Sequence, residues 1–341
     1  LAAPAADLAA YRASQGLVTR VVDVQDIYDE FSYGLPDPAA IRAFLSYAWS
    51  RWSPRPAYVL LAGAGSYDYR NDLGYADCLV PPLLTGALGV LVPADGLYAD
   101  VVRNDASPEL ALGRLPVLTT AEFQAYIDKI RAYEAADPAG WSRQVVLLAD
   151  NADPRAGDFA AASESLAGLL PGEFTTQRLY LGQPLTAAAV RAETLAALQS
   201  GAGLFHFVGH GGLNTLAGEQ LLTSKDAPTL TNAPRLPLMA AATCVVGDYA
   251  TPGYRALGVL LTLAGNGVMA GVLAPTGPAL NSDATAMSQE LFTALTDGSL
   301  VRTGDLTRAA LAGYAADSRP RYIGETYNLI GDPAALLPWR R

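Results

Sequence analysis

Scarcity narrows the reading of this chain before any motif is considered. Its 341 residues include only two cysteines and two histidines. Two thiols cannot build a disulfide framework, so the fold has to rest on its own core. Charged residues make up 16% and hydrophobic residues 51%, a balance that excludes a disordered chain. Lys and Arg number 23 against 33 Asp and Glu, for a net charge of −10. That balance argues against nucleic acid as a partner, because phosphate neutralisation needs clusters of Lys and Arg. A cationic substrate is compatible with the same balance. No run approaches the ~18 uncharged apolar residues of a membrane span. The chain also lacks short repeats, low-complexity tracts and a visible signal peptide.

What is present is a rhythm of strand, turn and helix. Leu1-Ala-Ala-Pro-Ala-Ala-Asp-Leu-Ala-Ala-Tyr-Arg12 reads as the start of a helix. A doubly wound unit enters such a helix from a strand, so a first strand is expected upstream, in a longer polypeptide with flanking domains. Residues 17–24 are Val-rich and strand-like. Asp37 and Pro38 supply an N-cap and an N1 proline for a helix to about residue 52. A short buried strand is expected over 58–63, followed by a polar loop over 65–72. The Pro- and Gly-punctuated stretch 79–117 reads as an antiparallel excursion. Thr119-Thr-Ala-Glu122 has capping-box spacing and opens a helix to about residue 136.

Asp137-Pro-Ala-Gly140 marks a boundary between a smaller amino-terminal α/β subdomain, 1–138, and a larger one, 139–341. Beyond it, strands are expected at 144–149, 174–181, 203–208, 236–243 and 267–274. Helices are expected at 158–170, 186–199, 254–263, 282–296 and 303–315. The fold class is therefore α/β, with doubly wound, mostly parallel sheets in two consecutive subdomains and three α/β/α layers.

Two of these strands stop on reactive side chains. Leu204-Phe-His-Phe-Val-Gly-His-Gly-Gly212 delivers His210, and Met239-Ala-Ala-Ala-Thr-Cys-Val-Val-Gly-Asp248 delivers Cys244. In parallel α/β sheets the carboxyl ends of strands are where ligands bind. A thiol and an imidazole at one sheet edge make a nucleophile and its base. The oxyanion formed by thiolate attack needs N–H donors, and those of Cys244 and Gly211 are the natural pair. His206 lies four residues before His210, but the surrounding glycines oppose the helix that a His-x-x-x-His metal pair requires. His206 is expected to be buried and hydrogen-bonded, and Cys78 to be structural. Asp150, Asp153 and Asp158 follow the strand at 144–149. They read either as a solvated loop with a helix N-cap, or as carboxylates that orient His210 or line a pocket for a basic side chain.

At this point the chain resembles the catalytic domain of the gingipain-type cysteine peptidases, in the caspase-like clan. The resemblance is carried by Asp26-Ile-Tyr-Asp-Glu-Phe-Ser-Tyr-Gly34, Tyr58-Val-Leu-Leu-Ala-Gly-Ala-Gly-Ser-Tyr-Asp-Tyr69 and Leu112-Gly-Arg-Leu-Pro-Val117. Val208-Gly-His-Gly-Gly212, Ala242-Thr-Cys-Val-Val-Gly-Asp248 and Leu329-Ile-Gly-Asp-Pro-Ala334 continue it in order. It implies an endopeptidase with Cys244 as nucleophile, His210 as general base and the backbone around Gly211 as oxyanion site. It also implies protein or peptide substrates, an extracellular or cell-surface setting, no cofactor for the chemistry, and a structural calcium. Arg or Lys at P1 is implied too, with Asp158 as first choice for the S1 acid and Asp150 or Asp153 near His210. Two departures stand out. Ala64 follows Gly63 where relatives commonly carry Asp, and 274–281 has no tryptophan to cover S1. The alternatives are a transpeptidase using the same acyl-enzyme, or a degenerate peptidase kept as a binding module.

Overall fold

The structure, a computed structural model, describes residues 1–340 except 183 and 318. Its amino-terminal part holds helices α1 (Ala2–Ser14), α2 (Val24–Phe31) and α3 (Pro38–Arg51) and strand β1 (Tyr58–Ala62). A hairpin of β2 (Leu84–Ala87) and β3 (Val90–Pro93) follows, then the short α4 (Gly96–Ala99), β4 (Ala111–Leu115) and α5 (Thr120–Ala135). Next come β5 (Gln144–Ala149), α6 (Phe159–Ala167), β6 (Thr175–Tyr180), α7 (Ala187–Ser200) and β7 (Leu204–Val208). A miniature sheet is made by β8 (Gly211–Gly212), β9 (Thr215–Leu216) and β10 (Leu222–Thr223). The chain continues with β11 (Leu238–Ala242), α8 (Leu257–Leu263), β12 (Gly271–Pro275) and α9 (Asn281–Ala294). It then adds α10 (Thr303–Ala316), α11 (Arg321–Thr326) and β13 (Tyr327–Gly331).

Helix starts follow side-chain chemistry. Asp37, Thr119, Asp158 and Thr186 each accept a backbone N–H at the first turn of α3, α5, α6 and α7. The strands β5, β7 and β11 are apolar on both faces because both faces are covered. Val145, Leu147, Leu204, Val208, Leu238 and Ala242 point into a core shared with α6, α9 and α10. Their neighbours Val146, Leu148, Phe205, Phe207, Met239 and Ala241 point into a second core with α7 and α8. Layers of helix, sheet and helix result.

One eight-stranded sheet, ordered β1-β4-β13-β12-β11-β7-β5-β6, spans the molecule. The expected pair of sheets is thus a single sheet, because β13 hydrogen-bonds to β4 on one side and β12 on the other. The division at 138/139 falls between α5 and β5. Pairing is parallel except between β12 and β13, where the direction reverses. The carboxyl ends of β1 and β4 therefore lie at the opposite edge from those of β7 and β11.

The expected strand at 17–24 is absent, and its place is taken by extended chain leading into α2. Val18 and Val21 are exposed, and β1, the sheet's edge strand, pairs only with β4. Asp23 instead caps α2 by accepting from Gln25 N–H at 2.9 Å. The excursion at 79–117 does contain an antiparallel hairpin, β2 with β3, but it also supplies β4 to the parallel ladder.

Candidate active site

Two adjacent strand tips define the site. Strands β7 and β11 run parallel in a register that pairs Val208 with Ala242. His210 and Cys244 each lie two residues beyond those partners, on strands that neighbour at about 4.8 Å. The ladder continues past the strand ends, since Gly209 N–H donates to Ala242 O (3.2 Å) and Asp150 N–H to Val208 O (3.0 Å). Asp150, His210 and Cys244 thereby reach one sheet edge from β5, β7 and β11.

Glycine is required at two points of this turn. Gly209 has φ +155°, and a Cβ there would lie 2.4 Å from the Asp150 Cβ. A Cβ on Gly211 would lie 2.3 Å from Thr243 Oγ1 and 2.9 Å from Cys244 O. The histidine turn thus packs backbone-on-backbone against the cysteine turn.

His210 is contacted through its ring and through its backbone. Its ring is exposed, with Nε2 3.5 Å from Asp153 Oδ2 and an edge-on contact to Phe159 at 5.3 Å between centroids. Its backbone N–H donates to Asp150 Oδ2 at 3.2 Å. Asp150 is buried, and burial raises its carboxyl above the usual carboxylate range against the N–H groups of Asn151 and His210. Asp153 moves the other way. The N–H groups of Arg155 (2.7 Å) and Ala156 (2.9 Å) hold its carboxyl low, with His210 adding to them. Asp158 does not join this group, because it caps α6 by accepting from Ala161 N–H at 3.0 Å.

Cys244 is half-buried on a sharp turn. Val245 after it has φ +43°, a left-handed conformation that is strained for a β-branched residue. Val246 N–H closes the turn onto Cys244 O at 2.6 Å. Val245 N–H donates to Gly277 O and Gly247 N–H to Pro275 O, both at 3.0 Å, pinning the turn to the end of β12 and the segment that follows it. That segment returns over the sulfur, where Ala279 N–H lies 3.4 Å and Ala279 O 3.5 Å from Sγ. Cys244 N–H has no backbone partner among the described residues. Ala217 N–H donates to His210 O (2.8 Å), so Gly211 sits at a non-hydrogen-bonded position opposite Leu216. In that register its N–H points away from β9.

Sequence reasoning missed Phe159, and it took up 274–281 only for the absence of a tryptophan over S1, not for a contact with Cys244. The Gly277-Pro278 pair marks a turn, but nothing local says that it returns to Cys244. His206 faces α9, with Nε2 2.9 Å from Ser288 Oγ and its ring against Phe292. Burial drives its imidazole down to about 3, so it is neutral in the fold. Cys78 sits in the loop after β1, its thiol pushed up by burial and 3.7 Å from Ser66 O. For the implied calcium, no group of three or more His, Cys, Asp or Glu side chains is placed to hold a metal among the described residues. No helix among them is long and apolar enough to cross a membrane.

Comparison with known proteins agrees with this architecture. No curated protein sequence matches the chain. The complex of the pro- and mature domains of RgpB from Porphyromonas gingivalis superposes with a TM-score of 0.74 at 19% identity. The match covers 91% of this chain and 72% of that one. The Arg-specific cysteine proteinase gingipain R gives the same TM-score and identity over 92% of this chain and 75% of its own. At such identity the likeness shows the fold, with its large mainly parallel sheet between helices. The model of peptidase family C25 matches residues 1–338. The chain belongs to peptidase family C25 and is a cysteine endopeptidase domain of the gingipain type.

Proposed function

We propose that Cys244 is the nucleophile and His210 the general base of this peptidase. The observation that carries the reading is the shared register of β7 and β11, with Gly211 seated on the Cys244 turn. His210 Nε2 faces Asp153, which leaves Nδ1 to take the thiol proton and Asp153 to favour the imidazolium that results. The thiolate attacks the scissile carbonyl carbon and a C–S bond forms. The N–H groups of Cys244 and Gly211 receive the oxyanion. His210 passes its proton to the leaving amine, and a thioester acyl-enzyme remains. Water, deprotonated by His210, then releases the carboxylate product. Asp150 acts on the backbone, holding the His210 turn from below.

The substrate is a protein or peptide chain, preferentially with Arg or Lys at P1. Support comes from the acidic loop 150–158 beside His210 and from the Arg specificity in the name of gingipain R. Asp158 remains the S1 candidate. One of its carboxylate oxygens caps α6, and the adjoining Gly157 lies next to Asn281 in the segment over Cys244. An extracellular or cell-surface setting goes with this reading.

The test is covalent. One equivalent of a peptidyl electrophile with Arg at P1 should label Cys244 and abolish cleavage, and Cys244→Ala should be inert. Cleavage surviving in Cys244→Ala removes the assignment. Asp158→Asn should erase the preference for Arg over an uncharged P1 residue, and an unchanged preference removes Asp158 from S1.

A further inference from the structure

The segment over Cys244 is fastened by two side chains outside the reaction as written above. Leu280 N–H donates to Tyr322 Oη at 3.2 Å, and Tyr322 in turn donates to Asp283 Oδ2 at 2.7 Å. One residue along, Asn281 Nδ2 donates to Ala156 O at 2.8 Å. Ala156 belongs to the loop of Asp153, and its own N–H is bonded to Asp153 Oδ1 at 2.9 Å. A run of contacts therefore leads from the Cys244 sulfur to Ala279, through Asn281 to Ala156, and through Asp153 to the His210 ring. Both reacting side chains are held from the same piece of backbone.

The fastening has a chemical consequence. An N–H directed at sulfur favours thiolate over thiol. Ala279 offers Sγ an N–H at 3.4 Å and a carbonyl at 3.5 Å that accepts from the thiol. Of the two, only the N–H contact survives loss of the proton, and it does so while residues 279–281 keep their present seat. Leu280, the formal N-cap of α9, has no capping side chain of its own, so Tyr322 satisfies the donor at that helix start. Removing either fastener releases the peptide that touches the sulfur without touching the sulfur, the imidazole or Asp153.

We propose that Asn281 and Tyr322 are positioning residues. They hold the Ala279 N–H against Cys244, and Asn281 locks this cover to the loop that orients His210. The proposal rests on Cys244 being the nucleophile, and its test is chosen to keep the two claims apart.

The experiment measures the rate of iodoacetamide alkylation of Cys244 against pH, in a Cys78→Ser background. Parent, Tyr322→Phe and Asn281→Ala proteins are compared, with thermal unfolding as a check on folding. No peptide substrate is needed. In both variants the alkylation midpoint should rise by about 0.5–1 pH unit with an unchanged plateau. The reaction is then roughly three- to tenfold slower below the midpoint. Peptide cleavage should lose kcat with KM retained. Should Asn281→Ala fail to fold, Tyr322→Phe, which removes a single oxygen, carries the test. Profiles superimposable on the parent's overturn the proposal. Faster alkylation at every pH with an unmoved midpoint also overturns it, since the cover then only shields the sulfur. Cleavage by Cys244→Ala, by contrast, sinks the nucleophile assignment itself.

Discussion

His210 has its ring in solvent and its backbone in the protein, and the two carboxylates near it divide accordingly. Asp150 holds the main chain and Asp153 faces the imidazole. With His210 as the proposed base, His210→Ala should lower kcat/KM by roughly two or more orders of magnitude, the range for a lost base coupled to its nucleophile. Wild-type turnover in that variant removes His210 from the mechanism. The second histidine makes a stability prediction instead. His206 is held neutral by burial, down to about 3, while an unfolded histidine titrates near 6.5. Between those values the unfolded chain binds the extra proton, so stability is lost as pH falls below about 6.5. His206→Gln should show a shallower loss in urea midpoints between pH 7 and 5. An equally steep loss excludes His206 as the source.

At the level of elements, α5 and α8 are joined by one buried amino group. Lys129 on α5 donates to the carbonyls of Thr262, Ala264 (2.9 Å) and Gly267 (3.3 Å), closing the carboxyl end of α8. Burial lowers its ammonium to about 7, against roughly 10.4 when unfolded. The unfolded chain therefore holds more protons across that window, and stability rises with pH from about 7 upward. Lys129→Met should flatten the rise in thermal midpoint between pH 7 and 9, measured against the parent. A slope identical to the parent's excludes Lys129. Elements of this kind differ in how plainly they were written. Apolar runs such as 144–149 and 204–208 announced themselves because both of their faces are covered, and helix caps such as Asp37 and Thr119 did so by local chemistry. The Val-rich run at 17–24 misled because strand composition does not say whether the chain is laid along an open sheet edge, and here β1 keeps its edge unpaired. Strand β13 escaped because an antiparallel insertion between β4 and β12 is a choice of topology, with no local signature. The same holds at the site. His210 and Cys244 were legible from the strands that end on them, whereas Ala279 meets the sulfur only through a 35-residue return of the chain.

For the molecule as a whole, the two ends of the described chain are tied by Arg12. It is buried, and its guanidinium bonds both Glu134 on α5 (2.8 Å) and Asp332 after β13 (2.8 Å). Leu336 N–H adds a bond to Glu134 at 2.9 Å. Removing the cation strands two buried carboxylates, and the loss of one partner from such a pair costs about 3–5 kcal/mol. Arg12→Met should therefore unfold at clearly lower urea concentration with an unchanged m-value. A midpoint equal to the parent's excludes this tie as a support of the fold.

The reversal between β12 and β13 has a consequence in time as well as in space. The strand that joins β4 to β12 inside the sheet is made from residues 327–331, after every other strand of that sheet. A nascent chain emerging from the ribosome carries the thiol and the imidazole long before it carries the keystone that joins β4 to β12. Until that strand arrives, the two-stranded and five-stranded parts of the sheet share an unzipped seam, and synthesis itself delays the moment at which it closes.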